Sequence, residues 1–240
     1  MKISILTLFP EMFEGPFDYS IIKNAINKKK VDIKFINIRD FGIGRHKVVD
    51  DKPYGGGHGM ILRVDVLERA ILETKGRNPD TLRQKVILLS PQGKTFNQKK
   101  AKELVNLRHL ILVCGRYEGI DERAKEFIDE ELSIGNFIVT GGEIPAMLVT
   151  DAVVRLIKGV LKEGVTNTES FSLPDRPAGG PAERPGPLLE YPQYTKPNIY
   201  KNFSVPPILL SGDHGKIKEW RDKESLKITT KLRPDLLKDK

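Results

Sequence analysis

KVILLSPQG (Lys85–Gly93), LILVCGRYEGIDER (Leu110–Arg123) and SIGNFIVTGGEIPA (Ser133–Ala146) decide the fold class of this chain. Each begins as an apolar run of strand length and breaks off in small or turn-forming residues. In an open α/β sheet the carboxyl ends of the strands and the loops beyond them make the usual ligand crevice, so three such ends predict one assembled pocket. Upstream, KISILTLF (Lys2–Phe9) and VDIKFINI (Val31–Ile38) read as two further strands. Helical segments are predicted over residues 17–29, 65–74, 97–106, 120–127 and 144–161, the last opened by Glu143 and Pro145, which suit a helix start. This alternation predicts an α/β fold, with a mainly parallel sheet and helices on both faces.

The chain has 240 residues, 39% of them apolar, enough to bury a core and to form one large domain and a small one. No apolar run reaches the length of a membrane span, and the first residues lack a secretory leader, so the expected setting is the cytoplasm with no membrane partner. Cys114, within LILVCG, is the one cysteine and reads as a buried, inert thiol. Four scattered histidines with one cysteine give no zinc spacing, so no protein metal site is expected. A formal charge of +8 favours polyanionic partners without identifying one.

Common nucleotide and hydrolase signatures are absent. PEMFEGPF follows the first strand where a dinucleotide fold would carry G-x-G-x-x-G, and neither the P-loop pattern nor G-x-S-x-G occurs. What remains is backbone chemistry: Gly115, Gly135, Gly141 and Gly142 lack a β-carbon and can let main-chain amides and carbonyls approach a nucleoside closely.

SPQG, CGRYEGIDER, SIGNFIVTGGEIPAM, DAVVR, YPQYTKP and PPILLSGDHGKI, with LTLFPEMF and VDDKPYGGGHGM before them, resemble the bacterial tRNA (guanine-N1)-methyltransferases that modify guanosine 37. The resemblance runs from the first strand to the C-terminal helix. It implies a SPOUT-class fold with a deep C-terminal trefoil knot, S-adenosylmethionine as methyl donor, tRNA with guanosine at position 37 as substrate, and a homodimer whose sites are built from both subunits. By motif match, Ser90, Pro91, Gly115, Ile134, Gly135, Asn136, Phe137, Ile138, Val139, Gly141 and Gly142 would surround the cofactor, with Tyr117 and Glu118 as neighbours. Asp50 and Gly59 match a region that approaches tRNA and the target base. A magnesium (Mg2+) requirement is also implied, although nothing in the sequence forms an oxygen cage for the ion.

The chemistry implied makes two demands. Neutral guanine N1 carries a proton, so a general base must remove it while a cation steadies the charge developing at O6. The resemblance assigns the cation to Arg155, in DAVVR. For the base the sequence departs from its relatives, many of which read Glu-Asp-Ser-Phe where this chain has Thr168-Glu169-Ser170-Phe171. Glu169 is the first candidate and Asp175 the second. The run PDRPAGGPAERPGP (residues 174–187) is longer than in many relatives and too rich in Pro and Gly for a helix or central strand.

The expected organisation is a knotted, cofactor-binding catalytic domain over residues 1–168, a flexible linker over 169–190 and a small, mostly helical tRNA-binding domain over 191–240. Residues 216–240 hold nine Lys or Arg against five Asp or Glu, a balance suited to phosphate contacts. Two alternatives stay open: a SPOUT methyltransferase with another RNA target, and a non-catalytic RNA-binding protein that keeps the fold.

Overall fold

The structure is a computed structural model, and it describes residues 1–76, 83–172 and 187–237. The chain divides into two compact units, Met1–Leu161 and Lys162–Lys240.

The strands of the first unit are β1 (Lys2–Thr7), β2 (Asp32–Asn37), the short β3 (Asp50–Asp51) and β4 (Ile61–Leu62), β5 (Gln84–Thr95), β6 (His109–Cys114) and β7 (Glu130–Ser133). Five of them form a sheet in the order β2-β1-β6-β5-β7, and every pairing in it is parallel. Its helices are α1 (Ser20–Asn27), α2 (Val64–Lys75), α3 (Gln98–Leu104) and α4 (Glu143–Val154).

Side chains alternate across a strand, and here both sets are apolar. Ile3 and Ile5 of β1, Ile87 and Leu89 of β5, and Leu110, Leu112 and Cys114 of β6 pack with α1, α3 and α4 through Ile22, Ala25, Leu104, Ala146 and Val153. Leu6, Val86, Leu88, Ile111 and Val113 pack on the opposite face with α2 through Val66, Leu67, Ala70 and Ile71. Helices thus cover both faces, which explains why β6 is buried at every position. Each such Leu or Ile contributes about 1.5–3 kcal/mol of burial.

Four sequence expectations differ from the structure. SPQG does not end its strand: β5 runs through it to Thr95, with a register shift against β7 between Leu89 and Lys94. SIGNFIV is not a strand beyond its first residue, since β7 stops at Ser133 and residues 134–142 form a loop. The helix expected over 120–127 is a 3₁₀ turn, Glu122–Phe127. Ile120 is bridged to Leu62, and the Asp121 amide donates to the Leu62 carbonyl at 2.9 Å, so the chain is held extended where a helix would begin. α4 is also shorter than expected. After Val154 the amides of Leu156 and Ile157 bond three residues back rather than four, and Gly159 then turns with φ +82°.

The second unit holds a hairpin, β8 (Ile199–Tyr200) and β9 (Phe203–Ser204), and one long helix, α5 (His214–Leu232). The Asp213 side chain caps α5 by accepting from the Lys216 amide at 3.1 Å. Those backbone and lysine contacts hold its carboxyl below the usual carboxylate range. The buried face of α5 is Ser225 and Thr229, with Trp220 and Leu226 half-buried. Thr229 accepts from the Leu189 amide at 2.9 Å, the Tyr194 ring lies 6.4 Å from that of Trp220, and Arg221 sits over Tyr191, so the YPQY segment packs along the helix. Of the expected linker, residues 173–186 lie outside the described residues. Its flanks are tied together, Phe171 to Leu188 and Glu190 to Ser170, each at 2.9 Å.

Candidate functional site

Because β5, β6 and β7 run parallel, their carboxyl ends emerge at one edge, where a cavity of about 330 Å³ opens. Each wall has a local cause. On β5 the register shift throws Ser90, Pro91 and Gln92 out of the ladder, and the Gln92 amide turns back to Ser90 Oγ at 3.2 Å. Gly93 makes this possible, since a β-carbon there would fall on the backbone of Glu131 and Leu132.

β6 continues into Gly115, Arg116, Tyr117 and Glu118, all of which line the cavity. The turn is zippered to the segment before α2: Glu118 donates its amide to the Met60 carbonyl at 3.1 Å, and Leu62 donates to Gly119 at 3.0 Å. A β-carbon on Gly59 would lie 2.6 Å from Glu118 Cγ. This places Gly59 beside a cavity residue, while Asp50 sits on β3 opposite Leu62. Tyr117 adopts φ +58°, a conformation that costs a non-glycine residue about 1 kcal/mol or more.

The third wall is the loop after β7. Ser133 Oγ accepts from the Gly135 amide at 3.2 Å and donates to its carbonyl at 3.1 Å, which starts the turn. Ile134, Phe137, Ile138, Val139, Gly141 and Gly142 line the cavity; Gly135 and Asn136 lie outside that lining. Gly135, at φ +144°, leaves room for Phe137, whose ring would stand 2.7 Å from a β-carbon there. Gly142 closes the loop onto β6, its amide donating to Gly115 at 2.9 Å, and an added β-carbon would lie 2.6 Å from Cys114 Cα.

Beneath the cavity lies a charged group absent from the sequence reading. Glu143, the first residue of α4, is fully buried; Oε1 accepts from Thr7 Oγ1 at 2.7 Å and Oε2 faces Arg116 Nε at 3.0 Å. Arg116 also donates to the Thr140 carbonyl and to Met12 Sδ, both at 3.1 Å, and lies over the Phe9 ring. Burial, and next the Glu143 charge, push the Cys114 thiol well up, so it stays protonated and inert. Lys125 lines the cavity as well, held by Gln92, Glu122 and Glu131. The sequence did carry one signal for this group: Glu143 is an acid directly before the apolar run over residues 144–149 of α4.

Of the residues expected to do the chemistry, Arg155 and Glu169 are among those described. Arg155 is the C-cap of α4, its amide bonded to the Asp151 carbonyl at 3.2 Å, and it is not part of the cavity lining. Glu169 belongs to the second unit, where its carbonyl accepts from Ser172 at 3.0 Å. Asp175 lies outside the described residues. Among the described residues no group of three or more His, Cys, Asp or Glu could hold a metal ion, and no helix is long and apolar enough to cross a membrane.

Comparison with known proteins gives a consistent result. A protein named tRNA (guanine-N(1)-)-methyltransferase from Dictyoglomus turgidum is 50% identical over 238 residues, covering 99% of this chain and 90% of its own length. Proteins of the same name from Desulforudis audaxviator and Geobacter sulfurreducens are 52% and 48% identical over 240 and 239 residues, covering 99% of this chain and 90% and 91% of their own lengths. The family model described as tRNA (Guanine-1)-methyltransferase TrmD matches residues 1–239. With a whole-length family match and relatives at about half identity, the chain belongs to the TrmD family of tRNA (guanine-1)-methyltransferases.

Proposed function

We propose that this chain transfers the methyl group of S-adenosylmethionine to N1 of guanosine 37 in tRNA. The observation that carries the reading is the cavity itself: three parallel strand ends converge on one opening lined by Gly115, Gly119, Gly141 and Gly142 together with Tyr117, Phe137 and Ile138.

The residues present fit this cofactor. A β-carbon on Gly115 would meet only the Leu89 carbonyl, at an ordinary 3.5 Å, so packing does not demand glycine there and the freed space belongs to the cavity. Tyr117, Phe137 and Ile138 leave apolar surface exposed on the walls, 47%, 56% and 81% of each residue, for an adenine to cover. Ser90, Pro91, Gly115, Tyr117, Glu118 and the stretch from Ile134 to Val139 with Gly141 and Gly142 would hold the group, with Gly135 and Asn136 shaping the turn. The group supplies an electrophilic methyl on a sulfonium.

The chain supplies the proton chemistry. Glu169, or Asp175 in its place, accepts the N1 proton, and Arg155 places a guanidinium against O6 as negative charge develops there. Asp50 and Gly59 flank the entering base, and the second unit holds tRNA through phosphate contacts. The reading includes the knotted SPOUT arrangement, a homodimer with sites shared between subunits, and work in the cytoplasm. Any magnesium ion would be held largely by the substrate.

The test uses labelled S-adenosylmethionine with tRNA transcripts bearing guanosine or adenosine at position 37, followed by nucleoside analysis. Label recovered as 1-methylguanosine from the guanosine transcript alone is expected. No label from folded protein, or label at another nucleoside, would overturn the reading.

A further inference from the structure

Two cations line the cavity, Arg116 and Lys125, and a sulfonium ligand is repelled by each unless a carboxylate cancels it. Lys125 has Glu122 at 3.1 Å and Glu131 at 3.0 Å. Arg116 has one carboxylate among the described residues, Glu143. Resting on the reading that the cavity takes S-adenosylmethionine, we propose that Glu143 determines charge specificity: by cancelling Arg116 in the cavity wall, it lets the site prefer the cationic methyl donor over S-adenosylhomocysteine, the product with a neutral sulfur.

The geometry separates this role from mere support. Arg116 is held by neutral partners on three sides, the Thr140 carbonyl, Met12 Sδ and the Phe9 ring at 4.6 Å. Replacing Glu143 by Gln therefore leaves the guanidinium where it is and removes only the opposing charge. Gly141 makes room for the pair, since a β-carbon there would lie 2.6 Å from Glu143 Oε2 and against Arg116 Nε. Glu118, also in the lining, has no ion-pair partner among the described residues, so Arg116 and Lys125 face four carboxylates, Glu118, Glu122, Glu131 and Glu143, and the walls with the groups behind them carry two surplus negative charges. Donor and product share adenosine, amine and carboxylate and differ at the sulfur alone, in its charge and its methyl group. Glu143→Gln keeps the size of the side chain, so it reads the charge and not the room for the methyl.

Dissociation constants for both ligands, measured by calorimetry on the full chain without tRNA, test the proposal. In Glu143→Gln the affinity for S-adenosylmethionine should fall on the order of tenfold more than that for S-adenosylhomocysteine. In Arg116→Gln the ratio should move the other way, and in the double variant it should return toward the wild-type value. Equal weakening of both ligands in Glu143→Gln, or an unchanged ratio in Arg116→Gln, overturns it. If Glu143→Gln fails to fold, judged by its melting curve, the Arg116→Gln arm decides. Wild-type protein that binds neither ligand would remove the cofactor reading, and this inference with it. Wild-type protein that binds both with no change of ratio in any variant would remove this inference alone.

Discussion

His109 stands at the amino end of β6, at the opposite edge of the sheet from the cavity. Gln84 donates its amide to Nδ1 at 2.7 Å, so Nε2 carries the proton and donates to Ser4 Oγ at 2.9 Å. Burial first, and then the nearby Lys2 charge, lower its pKa from the ordinary 6.5 to about 4, against a weaker pull from Asp32. The folded value lies below the unfolded one, so between these pH values the unfolded chain binds the extra proton. The neutral ring's contribution is complete above pH 6.5 and is lost as pH falls to about 4. It is worth about 3 kcal/mol in all. Urea denaturation at pH 7 and at pH 4.5 should show this loss in the wild type and much less of it in His109→Gln. Equal pH dependence in the two proteins would refute the assignment. In the sequence His109 is only one of four scattered histidines, because Ser4 and Gln84 reach it from other strands of a sheet whose register is not written locally. For the same reason the Arg116–Glu143 pair is not legible in the sequence: Arg116 sits on the loop after β6 and Glu143 at the head of α4, and they meet only after β6 and α4 pack. Gly135, Gly141 and Gly142 are legible as glycines because a β-carbon at each would meet a neighbouring atom within 2.7 Å.

Among the elements, β5 shows where pattern reading succeeds and where it stops. Its apolar start pairs as read, since Val86 to Leu89 alternate between two buried faces. The turn residues after it suggested an end to the strand. Gly93 instead lets the chain pass close to β7, so the ladder resumes at Lys94 and Thr95, and the displaced residues become a cavity wall. A bulge and a strand end use the same residue types, and only the neighbouring strand distinguishes them. It follows that Gly93→Ala should push β7 away and cost about 1–3 kcal/mol as an overpacked site. Lys94→Ala, an exposed neighbour, should change stability by no more than about 0.5 kcal/mol. Denaturation midpoints of the two variants check this, and matching values would mean that β7 does not constrain the bulge. The short 3₁₀ turn after Asp121 follows the same logic, for Leu62, distant in sequence, holds Ile120 and Asp121 extended and forbids the helix that local composition favoured.

At the scale of the whole molecule, the charge of +8 has to be assigned to particular side chains before it says anything about a polyanion. Along α5, Lys216, Lys218 and Lys227 each lie within about 3.3 Å of a carboxylate on or beside the same helix, which leaves them little net field. Lys223 and Lys231 are exposed and have no such partner among the described residues. If α5 is the surface that holds tRNA by its phosphates, these two carry that contact together with Arg221, which is exposed and lies over the Tyr191 ring. Each phosphate neutralised adds roughly 0.7–0.9 to the slope of log affinity against log salt. The double variant Lys223→Gln/Lys231→Gln should therefore bind tRNA with a slope shallower by about 1.5, with the larger loss of affinity at low salt. Its affinity for S-adenosylmethionine should not change, since neither lysine belongs to the cavity wall. Filter binding across a salt series measures the slope directly. A slope equal to that of the wild type would show that tRNA is held by other basic residues, and that α5 is a solvated helix whose charge serves solubility.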